Sequence, residues 1–389
     1  MKEQNNPLQL YEHNLEAYKK IKSAFESGQK TIGVVHATGT GKTYLALQFA
    51  YEHQDKKIIW LVPSVSILEH IQKIIKDLNL EKEFSNIEFR TYQSLVNCSR
   101  KDLKELDLDI LIIDEFQYLG TPVWGTRTSQ IVKTHKDLIT YGMTAYTVRD
   151  RGTFFERDMA NPLSDEIFSN QIVSRYDLVD AMIDLVLPKP NYKSFKAEIF
   201  SDFNTEELNK LVQKIKESNY TEKEKKEFEK LLDTAKKRIT EAPRIGDYIQ
   251  KYVLPNGKYI YFCPPISQDG VNDIETIKQE ALEWFKKVAP EQDIVIYTST
   301  SEMKDLGRKN REAFYNDKDL DGNDVSNKLR VMFAINQYNL GVHAPNINGV
   351  ILGRKTCSDI VYFEQIGRAL AVRGDSLENI KEYESKTYE

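Results

Sequence analysis

The sequence predicts an α/β fold with parallel sheets, arranged as two α/β halves with a charged helical segment between them. Three observations carry this. Short apolar runs alternate with helical patterns through the first half of the chain, as in βα units that feed a parallel sheet. Those runs are continuous rather than alternating, as in strands covered on both faces. The same alternation resumes after a segment dense in Lys and Glu, and 389 residues leave room for two to three domains.

In chain order, Thr31-Ile-Gly-Val-Val35 is the first strand and Ile58-Ile-Trp-Leu-Val62 the second, ended by Pro63. Asp109-Ile-Leu-Ile-Ile113 is the third and Leu138-Ile-Thr-Tyr-Gly142 the fourth. Helical spacing fills Thr43 to His53 and Ser66 to Leu78. Composition shifts after Tyr192. Residues 206–238 are rich in Lys and Glu, with Leu208, Leu211, Val212 and Ile215, then Phe228, Leu231, Leu232 and Ala235, at helical spacing. Ser218-Asn219-Tyr220 interrupts them, and Thr221 with Glu224 makes a capping box. This reads as a helical hairpin with solvated charged faces. Strands return at Lys258 to Cys263, Asp293 to Tyr297, Leu329 to Ala334 and Gly349 to Leu352, with helices at Val271 to Val288 and Ser301 to Tyr315. The expected domains are residues 1–195 and 251–389, with a hairpin linker at 196–250.

Hydrophobic residues at 40% and charged residues at 29% exclude collagen-like, disordered and membrane classes for the whole chain. The balance of 54 Lys+Arg against 59 Asp+Glu gives −5, so the chain is not a generic polycation, although a local basic groove is compatible with it. Cys98, Cys263 and Cys357 form no CxxC and are odd in number, which fits reduced thiols. The polar start from Met1 to Pro7 has no apolar region behind it, and the longest apolar runs are far below the ~20 residues that cross a bilayer. A cytoplasmic protein with no membrane partner is expected.

The chemistry concentrates at three places. Ala37-Thr-Gly-Thr-Gly-Lys-Thr43 follows the first strand and opens the first helix of the pattern. In that context Thr38, Gly39, Thr40 and Gly41 form a turn whose N–H groups face a phosphate, assisted by the helix N-terminus. Lys42 reaches the terminal phosphates of ATP and Thr43 places a hydroxyl on Mg²⁺. The strict pattern has Gly where this chain has His36, a departure that directs the reading to an NTPase branch in which that glycine is relaxed. Second, Asp114 and Glu115 follow four apolar residues at the end of the third strand. Asp114 suits Mg²⁺ and Glu115 suits polarisation of the attacking water, with Gln117 placed to sense the γ-phosphate. Third, Arg368 and Arg373 stand close behind Gly367 in the other half. An arginine that stabilises a transferring phosphoryl group has to come from outside the cradle, and a second α/β domain supplies it.

Taken together, these elements resemble the superfamily-two helicases, and within them the DEAD/DEAH-box group related to the helicase (Res) subunits of restriction enzymes. Further matches fall in the family's order: Leu61-Val-Pro-Ser64, Thr91-Tyr-Gln-Ser94, Asp114-Glu-Phe-Gln117, Gly142-Met-Thr-Ala145, Tyr261-Phe-Cys-Pro264, Asn339-Leu-Gly-Val-His343 and Gln365-Ile-Gly-Arg368. The resemblance implies two RecA-like domains in tandem, ATP and Mg²⁺ between them, and nucleic acid crossing both. It implies that Asn14 stands where relatives carry an adenine-reading Gln, and that Gly341 lies in the ATP site. It places nucleic-acid contacts at Pro63, Ser64, Thr91, Tyr92, Thr144, Pro264 and Asn339. Trp124 is read as a packing residue.

The function expected is an ATP-dependent nucleic-acid motor, with DNA favoured over RNA through the restriction-type resemblance. The alternative is a nucleic-acid-stimulated ATPase that clamps or switches without unwinding. No nuclease signature is visible, so a cutting activity would belong to a nuclease, restriction or defence partner subunit. The chain ends sixteen residues after Arg373, as expected for a bare motor or the motor end of something longer.

Overall fold

The computed structural model describes residues 7–120, 122–145, 167–168, 170–188, 213, 221, 225–226, 228, 230, 245–264, 274–335, 346–353 and 365–367. Two parallel sheets organise them, as expected for two RecA-like domains in tandem. The first has six strands in the order β3-β2-β4-β5-β1-β6 and the second four in the order β10-β7-β9-β8.

In the first half the strands are β1 (Thr31–His36), β2 (Ile58–Val62), β3 (Ile87–Thr91), β4 (Ile110–Asp114), β5 (Ile139–Thr144) and β6 (Ile172–Tyr176). The helices are α1 (Glu12–Glu26), α2 (Lys42–Tyr51), α3 (Val65–Asp77), α4 (Tyr92–Val96), α5 (Arg100–Lys104), α6 (Pro122–Thr134) and α7 (Leu178–Ile183). β2 and β4 are buried at every position, which is why their apolar runs are unbroken. The edge strands β3 and β6 were not expected from sequence. Both are only partly buried and mix charged with apolar residues, so neither shows a buried run. Helix α1 was not expected either. Its buried face is Asn14, Ala17, Tyr18 and Ile21, a helical stripe that opens on a polar residue.

One packing device bears on the site. Gly33 of β1 pairs with Gly142 of β5, and the Phe168 ring lies on both. A Cβ on Gly142 would sit 2.3 Å from Phe168 Cζ, so the missing side chain is the space the ring fills. Phe168 in turn stacks on Phe116, with centroids 4.4 Å apart, directly behind Asp114 and Glu115.

The second half carries β7 (Lys258–Phe262), β8 (Ile294–Ser299), β9 (Leu329–Ala334) and β10 (Gly349–Leu352), with helices α8 (Ile245–Tyr252), α9 (Ile274–Phe285) and α10 (Lys304–Tyr315). The α9 and α10 helices lie within the expected spans. At the N-terminal end of this sheet, Lys258 has no exposed side-chain surface and pairs with Asp317 at 2.8 Å, which Arg330 also contacts at 2.6 Å. Most of the expected hairpin lies outside the described residues. Within it Lys225, Lys226, Phe228 and Lys230 are helical, and the Lys225 N–H donates to Thr221 O at 3.0 Å, as the capping reading of Thr221 requires. Among the described residues no helix is long and apolar enough to cross a membrane. Cys98 and Cys263 are not disulfide-bonded among the described residues, and Cys357 lies outside them.

Candidate nucleotide site

The loop between β1 and α2 turns through two glycines at positive φ, Gly39 at 87° and Gly41 at 88°, a conformation that L side chains resist. Gly41 is the N-cap of α2, and no side chain caps the helix there. Thr40 is buried, and its hydroxyl donates to Ala37 O at 2.7 Å, closing the turn on itself. Lys42 is 9% exposed and its Nζ lies 3.3 Å from Ala37 O, folded across the loop it would serve. Thr38, Gly39 and Thr43 are half-buried at the mouth. These features fit a polyanion: a concave run of backbone donors, a helix N-terminus and one ammonium.

Asp114 ends β4 and is buried at 6% exposure. Burial pushes its carboxyl well up, Glu115 adds to this, and Lys42 pulls it back down. Glu115 follows at φ 53°, a strained backbone for a side chain of this kind, which turns it away from the strand line. Gln117 donates its amide Nε2 to Glu115 Oε2 at 3.0 Å. Thr144, at the end of β5 and fully buried, donates its hydroxyl to Gln117 Oε1. Thr144, Gln117 and Glu115 thus form one chain of hydrogen bonds. Among the described residues no group of three or more His, Cys, Asp and Glu could hold a metal alone. The oxygen set of Asp114 and Thr43 still suits Mg²⁺, which keeps several waters and takes phosphate oxygens rather than a protein cage.

His36 is 1% exposed and hydrogen-bonds Ser174 of β6 through Nε2 at 2.9 Å. Burial, with Lys42 second, pulls its imidazole down to about 3, so it is neutral and adds no charge behind the loop. A buried neutral ring at this position is what the missing glycine of the strict pattern has become.

Several expected contacts take other places. Asn14 is 1% exposed and donates Nδ2 to Thr40 O at 2.9 Å, so its side chain braces the phosphate loop. Tyr92 is fully buried, donates its hydroxyl to Asp114 O at 2.8 Å, and stacks on Trp124 at 5.2 Å, so both are packing residues in the described structure. Thr144 is likewise buried in the network above and its side chain cannot meet a nucleic-acid strand there. Pro63 is buried as well. Ser64 and Thr91 remain half-buried at the adjacent ends of β2 and β3, where their hydroxyls cap α3 and α4. Pro264 is half-buried beyond β7. Asn339, Gly341, Arg368 and Arg373 lie outside the described residues. Sequence reasoning missed His13, whose Nε2 meets the same Thr40 oxygen at 2.8 Å; its one signal was its place beside Asn14.

Among the described residues the halves touch at several places. A Cβ on Gly367 would come within 2.9 Å of Thr38 Cβ, so the second half lies against the phosphate loop. Ile366 packs with Ala181 and Leu187. Lys73 of α3 sits over the Tyr315 ring of α10, 4.5 Å from its centroid.

The two parallel sheets and the glycine-rich loop between β1 and α2 define an α/β protein with RecA-like architecture. Within it, residues 7–149 match the family described as type III restriction enzyme, res subunit. Two solved structures share the fold. The DEAH/RHA helicase HrpB of Escherichia coli aligns at TM-score 0.53 and 13% identity, over 94% of this chain and 43% of that one. The ATP-dependent type ISP restriction-modification enzyme LlaBIII, bound to DNA, aligns at TM-score 0.54 and 13% identity, over 95% of this chain and 27% of that one. This chain therefore spans less than half the length of either. No curated protein matches it. The resemblance read from the motifs is met by a res-subunit match over residues 7–149 and by a fold shared with a helicase and a restriction–modification enzyme.

Proposed function

We propose that this protein is an ATP-dependent nucleic-acid motor that hydrolyses ATP between its two RecA-like domains. The contact of Gly367 with Thr38 carries the reading, because Gly367, the residue before Arg368 in the sequence, lies against the glycine-rich loop of the other half. In this reading Thr38, Gly39, Thr40, Gly41 and Lys42 hold the phosphates, and Gly341 joins them from the second half. Glu115 receives the proton of the attacking water, and Gln117 holds Glu115 in place. Arg368, with Arg373 behind it, meets charge on the transferring phosphoryl group. Thr43 and Asp114 would hold Mg²⁺, which would supply charge neutralisation at the phosphates.

Ser64, Thr91, Pro264 and Asn339 are the contacts that remain for a nucleic-acid backbone, read without sequence preference. DNA is favoured over RNA by the res-subunit match and by the likeness to a restriction–modification enzyme solved with DNA. A nuclease or defence partner would supply any cutting.

ATP turnover measured with single-stranded DNA, double-stranded DNA and RNA, beside strand and triplex displacement, tests this. Lys42→Ala should abolish turnover with the fold intact, and Glu115→Gln should bind ATP yet stall. Turnover unchanged in Lys42→Ala refutes the site. DNA-stimulated turnover with no displacement leaves an ATPase clamp and removes the motor.

A further inference from the structure

The phosphate loop is held from behind by His13, which no motif assigns, and by Asn14, in a role other than the adenine contact that the resemblance implies for it. His13 Nε2 lies 2.8 Å from Thr40 O, and Asn14 Nδ2 donates to the same oxygen at 2.9 Å. A carbonyl only accepts, so His13 carries its proton on Nε2. The Thr40–Gly41 peptide is trans, as are all those described, so its C=O and N–H point in opposite directions. Two donors on the oxygen therefore fix this peptide, with the Gly41 N–H on the side opposite to them. They also polarise that peptide, which strengthens its N–H as a donor.

The brace is itself framed. The His13 ring stacks on Tyr176, centroids 4.8 Å apart and planes within 13°, with Tyr11 at 6.1 Å on its other side. Tyr176 accepts the Ala37 N–H at 2.8 Å and donates its hydroxyl to Asp184 at 2.9 Å. One tyrosine of β6 thus meets the start of the loop through its backbone and, through His13, the end of it. The fit to Gly41 is tight: a Cβ there would come within 2.6 Å of Asn14 Nδ2.

We propose that His13 is a positioning residue for phosphate binding, held between Tyr11 and Tyr176 and acting with Asn14 on the Thr40 carbonyl to aim the Gly41 amide at a nucleotide phosphate. The assignment rests on the nucleotide site proposed above. It is tested on the full chain by KM and kcat for ATP and by competitive inhibition with tripolyphosphate, a probe that carries no base or sugar. His13→Phe keeps the stack and removes the donor. It should weaken tripolyphosphate inhibition and raise KM by roughly three- to tenfold, the size of one lost hydrogen bond. His13→Gln, whose amide can reach the same oxygen, should recover most of the loss. Removing His13 and Asn14 donors together should exceed the product of the single effects, since either alone still pins the carbonyl.

A lower melting temperature with unchanged tripolyphosphate inhibition would show a merely structural residue and overturn the proposal, as would a loss that His13→Gln does not recover. Lys42→Ala separates the two levels. If it abolishes turnover while His13→Phe changes nothing, only the positioning role falls. If Lys42→Ala is itself silent, the nucleotide site falls with it.

Discussion

Asp114 is a carboxyl in a place that disfavours its charge. It is 6% exposed and next to Glu115, and the pull of Lys42 and of the Glu115 N–H works against that penalty. A carboxyl whose folded pKa is raised contributes stability below its unfolded pKa and loses it as pH climbs toward the folded value. Ionised Asp114 is thus a strain on the protein without nucleotide, of the kind that function retains. Asp114→Asn should melt higher than the parent at pH 8 without nucleotide, by on the order of 1 kcal/mol, with the gain shrinking toward about pH 4. The same variant should lose ATP turnover. A melting curve at pH 8 that shows no gain removes the argument for a buried charge awaiting a cation. At this scale the sequence located Asp114 but not its neighbours, since Thr144, Tyr92 and Asn14 owe their roles to Gln117, Asp114 O and Thr40 O, partners that only folding brings near.

Among the elements, β1 and β5 meet through paired glycines under the Phe168 ring, and that ring supports Phe116 behind the acid pair. Strand backbone cannot retreat from a new methyl at Gly142, because β4 and β1 pair with β5 on either side. Gly142→Ala should destabilise by about 1–3 kcal/mol through overpacking. Phe168→Leu added to it should return part of the stability, and a denaturant midpoint for each of the four proteins closes the cycle. Additive losses would mean that ring and glycine do not share the space. The elements legible in the sequence were those with continuous burial, such as β2, β4 and β9, whose residues are apolar because both faces are covered. The edges β3 and β6 were not, because one side of an edge strand faces solvent and its sequence mixes Glu88, Arg90 and Arg175 with apolar residues. The phosphate loop was legible for a different reason: its glycines answer a backbone need that is local, the positive φ of Gly39 and Gly41.

On the scale of the whole molecule, the function proposed depends on two sheets acting on one loop, and Gly367 meets Thr38 between them. A side chain there has nowhere to go without moving one half from the other, since Thr38 is held in the turn that carries Lys42. Each domain's own core is untouched by the change: the clusters around Trp60 and around Phe333 lie within single halves. Gly367→Val should therefore leave the far-ultraviolet signal and the melting transition close to the parent's, and ATP binding to the first half should change little. Turnover should fall at least roughly tenfold, the scale of losing one group that meets transition-state charge. The ratio of the two effects is the informative quantity. A fall in binding equal to the fall in kcat/KM would mean that the second half only covers the nucleotide. A fall confined to kcat would mean that it completes the chemistry, as a motor whose closure and hydrolysis are one event requires.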